Sequence, residues 1–151
     1  MSIDKSMLAL EKAIPFYGQH QIKVSAKNVA WHLDHSLKVI NSVCEALKTS
    51  NPEDYSSTFS FIKFYIFLRG SIPRGKARAP KSVVSKDEIL KSAIESQLEM
   101  AKINLQEIKN LPKNSNFQHP YFGKLSLKKS QRFLAIHTNH HLAIVNDILR
   151  K

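Results

Sequence analysis

Phe133-Leu-Ala-Ile-His-Thr-Asn-His-His-Leu-Ala-Ile-Val145 places three of the chain's seven histidines within five residues of an otherwise apolar run. On a helix advancing about 100° per residue, His137 and His141 lie one turn apart on one face. Phe133, Leu134, Ile144 and Ile148 share that face, and Arg132, Asn139, Asn146 and Arg150 fall opposite. The pair therefore points toward a core. Two imidazoles on an apolar stripe need hydrogen-bond partners, or a cation that takes their lone pairs. The i, i+4 spacing lets two neutral imidazoles share one metal ion. Histidine–x3–histidine alone is a weak signal, because core histidines satisfied by backbone or water give the same pattern. A second histidine cluster upstream strengthens it.

That cluster lies in a long helical pattern, Ala26 to Leu47, for which Ser25 is a good N-cap. Val29, Leu33, Ser36, Leu37, Ile40, Val43, Cys44 and Leu47 define a buried arc, while Asp34, Lys38, Asn41 and Glu45 define a wet side. By phase His32 falls near the middle of the arc and His35 at its edge, beside Trp31 and Ser42. His32 is thus the expected inward ligand, with His35 behind it or on the surface.

The remaining elements frame these two helices. Ile3 to Ile14 has a helical apolar rhythm that Pro15 ends. Thr58 to Leu68 is densely aromatic and is read as a short helix packing one end of a bundle. Arg69-Gly-Ser-Ile-Pro-Arg-Gly-Lys-Ala-Arg-Ala-Pro-Lys81 reads as a basic connecting loop, and second as an anion or nucleic-acid site. Ser85 opens a capping box for a helix over Lys86 to Lys109. A loop from Leu111 to Leu125 then leads to Ser126, the expected cap of the histidine helix. Within it, His119-Pro-Tyr-Phe-Gly123 could close one mouth of the site and offer His119 or Tyr121 to a ligand, or simply plug the bundle end.

The 151 residues suit one domain spanning the chain, 1–151. The start lacks the features of a secretory signal and no run is long enough to span a bilayer, so a cytoplasmic protein with no membrane partner is expected. Cys44 is the sole cysteine and lies on an apolar face, which favours packing over nucleophilic chemistry. The net charge of +11 favours anionic partners, but the lysines are scattered over polar faces as on any solvated surface. Nucleic acid ranks last among the partners considered.

Four long amphipathic helices joined by loops of bundle length point to an all-α, antiparallel four-helix bundle with a short extra helix and a basic loop between helices two and three. His32, His137 and His141 would then meet in its interior, with coordination positions left for water or substrate. Three histidines suit zinc, nickel, copper or ferrous iron alike.

This arrangement resembles the DinB-like superfamily of metal-binding four-helix bundles, which includes the bacillithiol- and mycothiol-dependent transferases. The matching pieces are Ser25 followed seven residues later by His32-Leu33, the His119-Pro-Tyr-Phe-Gly123 loop, and His137-Thr-Asn-His-His141. Residue by residue the family's metal triad falls on His32, His137 and His141. Aligning on Trp31-x-Leu33-x-His35 instead would choose His35. The resemblance implies a divalent zinc, nickel or iron ion, a homodimer, and a small-molecule substrate such as a low-molecular-weight thiol, activated by the metal. No Asp or Glu is evident near the triad as a general base, and His35, His140 or Tyr121 could take that part. Beside this transferase reading stand a non-catalytic metal- or ligand-binding bundle and a basic nucleic-acid or membrane-surface protein.

Overall fold

The computed structural model describes residues 1–75, 83 and 88–150. These are mostly helical: α1 (Ile3–Ala13), α2 (Val29–Thr49), α3 (Phe61–Arg69), α4 (Lys91–Glu107) and α5 (Leu127–Leu149), with a hairpin of β1 (Asn116–His119) and β2 (Gly123–Ser126). No helix among them is long and apolar enough to cross a membrane.

The central element is α2. It packs on α4 along one side and on α5 along another, while α1 lies chiefly against α5. Leu33, Leu37, Ile40 and Leu47 of α2 join Ile94 and Leu98 of α4 and Leu134 and Val145 of α5 in the core. Ser6 of α1 donates to Asn139 Oδ1 (2.9 Å), and Asn139 Nδ2 donates to the Met1 carbonyl, so the polar side of α5 is where α1 is fastened.

Helix starts depart from the sequence expectation in two places. Asn28, not Ser25, caps α2, accepting from the Trp31 amide at 3.0 Å. This releases the Ser25 hydroxyl for another partner. The fourth long element begins at Lys91 rather than Lys86, with Leu90 at the cap position and no side-chain cap. Ser85 lies outside the described residues, as do 76–81 of the basic run.

The expected wet side of α2 is in fact the seam with α4. Asp34 is buried and accepts from Gln97 Nε2 at 2.7 Å, with Lys38 at 3.0 Å. Asn104 Nδ2 donates to Asn41 Oδ1, and Lys48 reaches both Asn104 and Glu107. Polar residues at helical spacing can be read as solvated or as a paired polar seam, and only the neighbour decides.

The loop expected over Leu111 to Leu125 contains the hairpin, paired in register from Asn116↔Ser126 to His119↔Gly123. Gly123, the first paired residue after the turn, has a φ of 68°, a left-handed conformation that favours glycine. Asn116 fastens the hairpin to the end of α2 through Ser50 and Asn51.

A further departure concerns α3. Ser60 caps it and left-handed Gly70 ends it, donating to the Ile66 carbonyl at 2.8 Å. Of its residues only Lys63 and Ile66 are buried and Phe67 packs half-buried against the core, while Phe61, Phe64 and Tyr65 are exposed and do not fill it.

Candidate metal centre

The α2 and α5 histidines come together where the two helices pack. His32 and His35 are equally buried, each 3% exposed, so α2 sends both inward and phase does not separate them. The reason is the double packing of α2: an arc bounded by both α4 and α5 is wider than a stripe facing one neighbour. His141 is buried and His137 retains a partly exposed edge.

His35, His137 and His141 form the group whose ligand atoms all lie within 4.8 Å of one another. His35 Nε2 faces His137 Nε2 at 3.3 Å. Metal–nitrogen bonds of about 2.0–2.1 Å at tetrahedral angles would hold two nitrogens roughly 3.3–3.4 Å apart, a spacing that this gap would fit, as it also fits a hydrogen bond between the two rings. The other nitrogen of His35, Nδ1, is 2.9 Å from the Val83 carbonyl and must donate to it. That fixes the tautomer and leaves the Nε2 lone pair for a ligand or a donor. Trp31 stacks on the His35 ring at 4.9 Å and 12°, locking its plane.

His32, the ligand expected from helical phase, occupies a different position. Its Nδ1 is 3.0 Å from His141 Nδ1, and its Nε2 is 3.0 Å from Ser25 Oγ. Both ring nitrogens are therefore engaged, one of them on a histidine of the trio. Ser25 also accepts from the Lys27 amide at 3.0 Å, which holds its hydroxyl in place ahead of α2. The Ser25–His32 spacing brings the two side chains together, and Asn28 rather than Ser25 is the cap.

Burial keeps these rings neutral. Desolvation, reinforced by His35, lowers the His32 pKa to about 4. Burial also lowers His35, against opposing contributions from the Val83 hydrogen bond and Asp34. His137 and His141 are pushed far down, first by burial and then by neighbouring imidazoles. Neutral imidazole is the form that ligates a metal. His137 Nδ1 is buried without a hydrogen-bond partner, so the site also contains an unsatisfied polar atom.

The other sequence candidates lie around this group. His140 sits beside His141, with ring centroids 5.1 Å apart, and is lowered by burial against a hydrogen bond with the Ile72 backbone. His119 is one ring removed: it stacks on Phe122 at 4.0 Å and meets Phe133, which in turn meets His137. Its Nδ1 accepts from the Tyr121 and Phe122 amides, so it braces the hairpin turn. Tyr121 is exposed. Cys44 is fully buried and desolvation pushes its thiol up to about 12, which removes it as a nucleophile.

Beyond Trp31 lies a groove of about 520 Å³ whose lining includes His20, Lys27, Asn28 and Glu88. The Trp31 ring thus forms both a wall of this groove and the cover of His35. Sequence reasoning could not have found the Val83 carbonyl, since a backbone acceptor leaves no residue-type signal. Comparison with family models, curated proteins and solved structures returned no match, so the assignment of the site rests on its own geometry.

Proposed function

We propose that this chain binds a divalent metal ion through His35, His137 and His141, in the interior of an antiparallel four-helix bundle of the DinB-like kind. The observation that carries this reading is the 3.3 Å approach of two neutral imidazole Nε2 atoms, with His141 beside them. His32 replaces His35 as the residue behind the ligands. For His141 to present its Nε2 lone pair, Nδ1 must carry the proton and donate to His32 Nδ1; His32 then donates from Nε2 to Ser25 Oγ. Every imidazole stays neutral in this arrangement, with His137 Nδ1 the one nitrogen of the trio left without a partner among the described residues.

A divalent cation held by three imidazoles supplies Lewis acidity at a remaining coordination position, which lowers the pKa of a thiol or water bound there. With Cys44 inert, the nucleophile would come from a cosubstrate. We therefore favour a metal-dependent transferase using a low-molecular-weight thiol, its substrate entering from the groove beside Trp31. Lys27 there suits an anionic group of such a cosubstrate, and partly exposed His140, its ring 5.1 Å from that of His141, would serve as a proton acceptor beside the trio.

A non-catalytic binding bundle is the second reading. His137 can donate from Nε2 to His35 Nε2 when no metal is present, so the trio is compatible with a metal-free resting state. Cobalt(II) titration separates the two at the level of the site. The proposal expects saturable, stoichiometric uptake with the intense visible bands of four- or five-coordinate cobalt. Weak six-coordinate bands without saturation would remove the metal centre. If the centre stands, turnover of thiol and electrophile by the loaded protein, lost in His35→Ala, decides between enzyme and binder.

A further inference from the structure

The aromatic helix is the feature that neither the core nor the metal centre absorbs. Phe61 is 80% exposed, Phe59 and Leu68 are each 73% exposed, and Ile62, Phe64 and Tyr65 are more than half or about half exposed. With aromatic side chains presenting up to roughly 150–250 Å² each, this one segment exceeds the few hundred Å² of contiguous apolar surface usual for a soluble monomer. Such a patch marks a surface that something covers.

Charge decides what covers it. A groove of about 420 Å³ at the foot of α3 is lined by Phe59, Phe64 and Phe67 together with Lys63, Lys128, Lys129 and Arg132, and among the described residues by no Asp or Glu. Arg132 lies over the Phe67 ring at 5.3 Å and donates to the Phe67 carbonyl, which holds one cation at the edge of the aromatic surface. Arg69 adds another at the C-terminal end of the helix, bonded to Tyr65 Oη at 2.8 Å. A second copy placed face to face would bring two cation-rimmed faces together without a carboxylate from either groove lining to pair with them. An apolar face rimmed by cations fits a surface that is apolar inside and anionic at its boundary.

We propose that α3 is an interfacial docking helix that seats this protein on an anionic lipid bilayer. Phe61, Phe64 and Leu68 enter the headgroup and upper acyl region, and Lys128, Lys129, Arg132 and Arg69 pair with lipid phosphates. Attachment of this kind lies on the bilayer and does not span it. It differs from the sequence expectation of no membrane partner, which rested on the absence of a spanning run. Tyr65, with an apolar ring and polar tip, suits the same boundary. The proposal is independent of the metal centre.

The test is co-sedimentation of the full chain with vesicles of phosphatidylcholine alone and of phosphatidylcholine mixed with phosphatidylglycerol. The expected result is capture by the mixed vesicles only, weakening as salt rises. Phe61→Ser should lower partitioning by about tenfold or more, and Lys128→Glu by about fivefold or more. Both side chains are exposed, so unchanged circular dichroism and melting are expected. Equal capture by neutral vesicles, or none by either, would overturn the proposal. So would a lipid-free dimer that Phe61→Ser dissociates, which would make a second copy the cover. Saturable binding of a free fatty-acid anion or of DNA without vesicle capture would overturn it as well.

Discussion

His32 Nδ1 lies 3.0 Å from His141 Nδ1, so the α2 histidine that helical phase favours as a ligand is bonded to a candidate ligand on α5. Ser25 Oγ, 3.0 Å from His32 Nε2, completes a line of three side chains ending at the trio. Outer partners of metal-bound histidines fix the tautomer and ring orientation, and their loss typically weakens metal binding about 10- to 100-fold. His32→Ala is therefore expected to weaken binding by that factor, and Ser25→Ala by less. Competition titrations against a chelator measure both. Affinities unchanged in His32→Ala would remove the positioning role.

Acid stability should report His119. Its Nδ1 accepts two amide hydrogens in the hairpin turn, and burial lowers its pKa from 6.5 to about 4. A depressed histidine pKa means that the unfolded chain takes up the proton first. Its contribution is fully present above pH 6.5 and is lost as pH falls from there through about 4. In His119→Asn an amide oxygen can accept in place of Nδ1 and nothing titrates. Denaturant midpoints measured from pH 7 to 4 should fall less steeply in this variant than in the unmodified protein, whatever its stability at pH 7. Equal slopes would contradict the assignment.

The buried carboxylate of Asp34 offers a test of the α2–α4 seam. Gln97 Nε2 donates to it at 2.7 Å. Gln97→Ala should destabilise the protein by about 1.5–3 kcal/mol, the usual worth of a hydrogen bond to a charged group, with Lys38 still paired to Asp34. Urea denaturation would show this as a lower midpoint with an unchanged slope. A shift no larger than that of an exposed substitution such as Lys91→Ala would mean that water replaces the bond.

Cys44 provides a direct check on the core. A fully buried thiol raised to about 12 should not react with a disulfide reagent in the folded state and should react fully in guanidinium. Rapid labelling under native conditions would contradict its burial.

How far the sequence carries the fold differs by element. The α5 histidines were legible because a sustained apolar stripe fixes the phase of His137 and His141. The α2 histidines were not separable, because α2 packs on two helices and its buried arc is wide enough to hold His32, Asp34 and His35 together. Ser25 was misread as a cap since serine at that spacing commonly is one, while Asn28 three residues later does that work. The aromatic run of α3 was read as a short helix packing one end of a bundle, and periodicity could not show that only Ile66 and Phe67 of its apolar residues face inward while the others are exposed. The Val83 carbonyl carried no residue-type signal at all.

The central claim is that His35, His137 and His141 hold a metal ion and that His32 stands behind them. Elemental analysis of protein purified without an affinity tag, after equilibration with zinc or nickel, tests it most directly when run on the unmodified chain and on His35→Ala, His137→Ala and His32→Ala. The account predicts near-stoichiometric metal in the unmodified protein, none in the first two variants, and metal retained by His32→Ala when the ion is in excess. Metal lost from His32→Ala but kept by His35→Ala, or a folded unmodified protein that takes up neither ion, would contradict it.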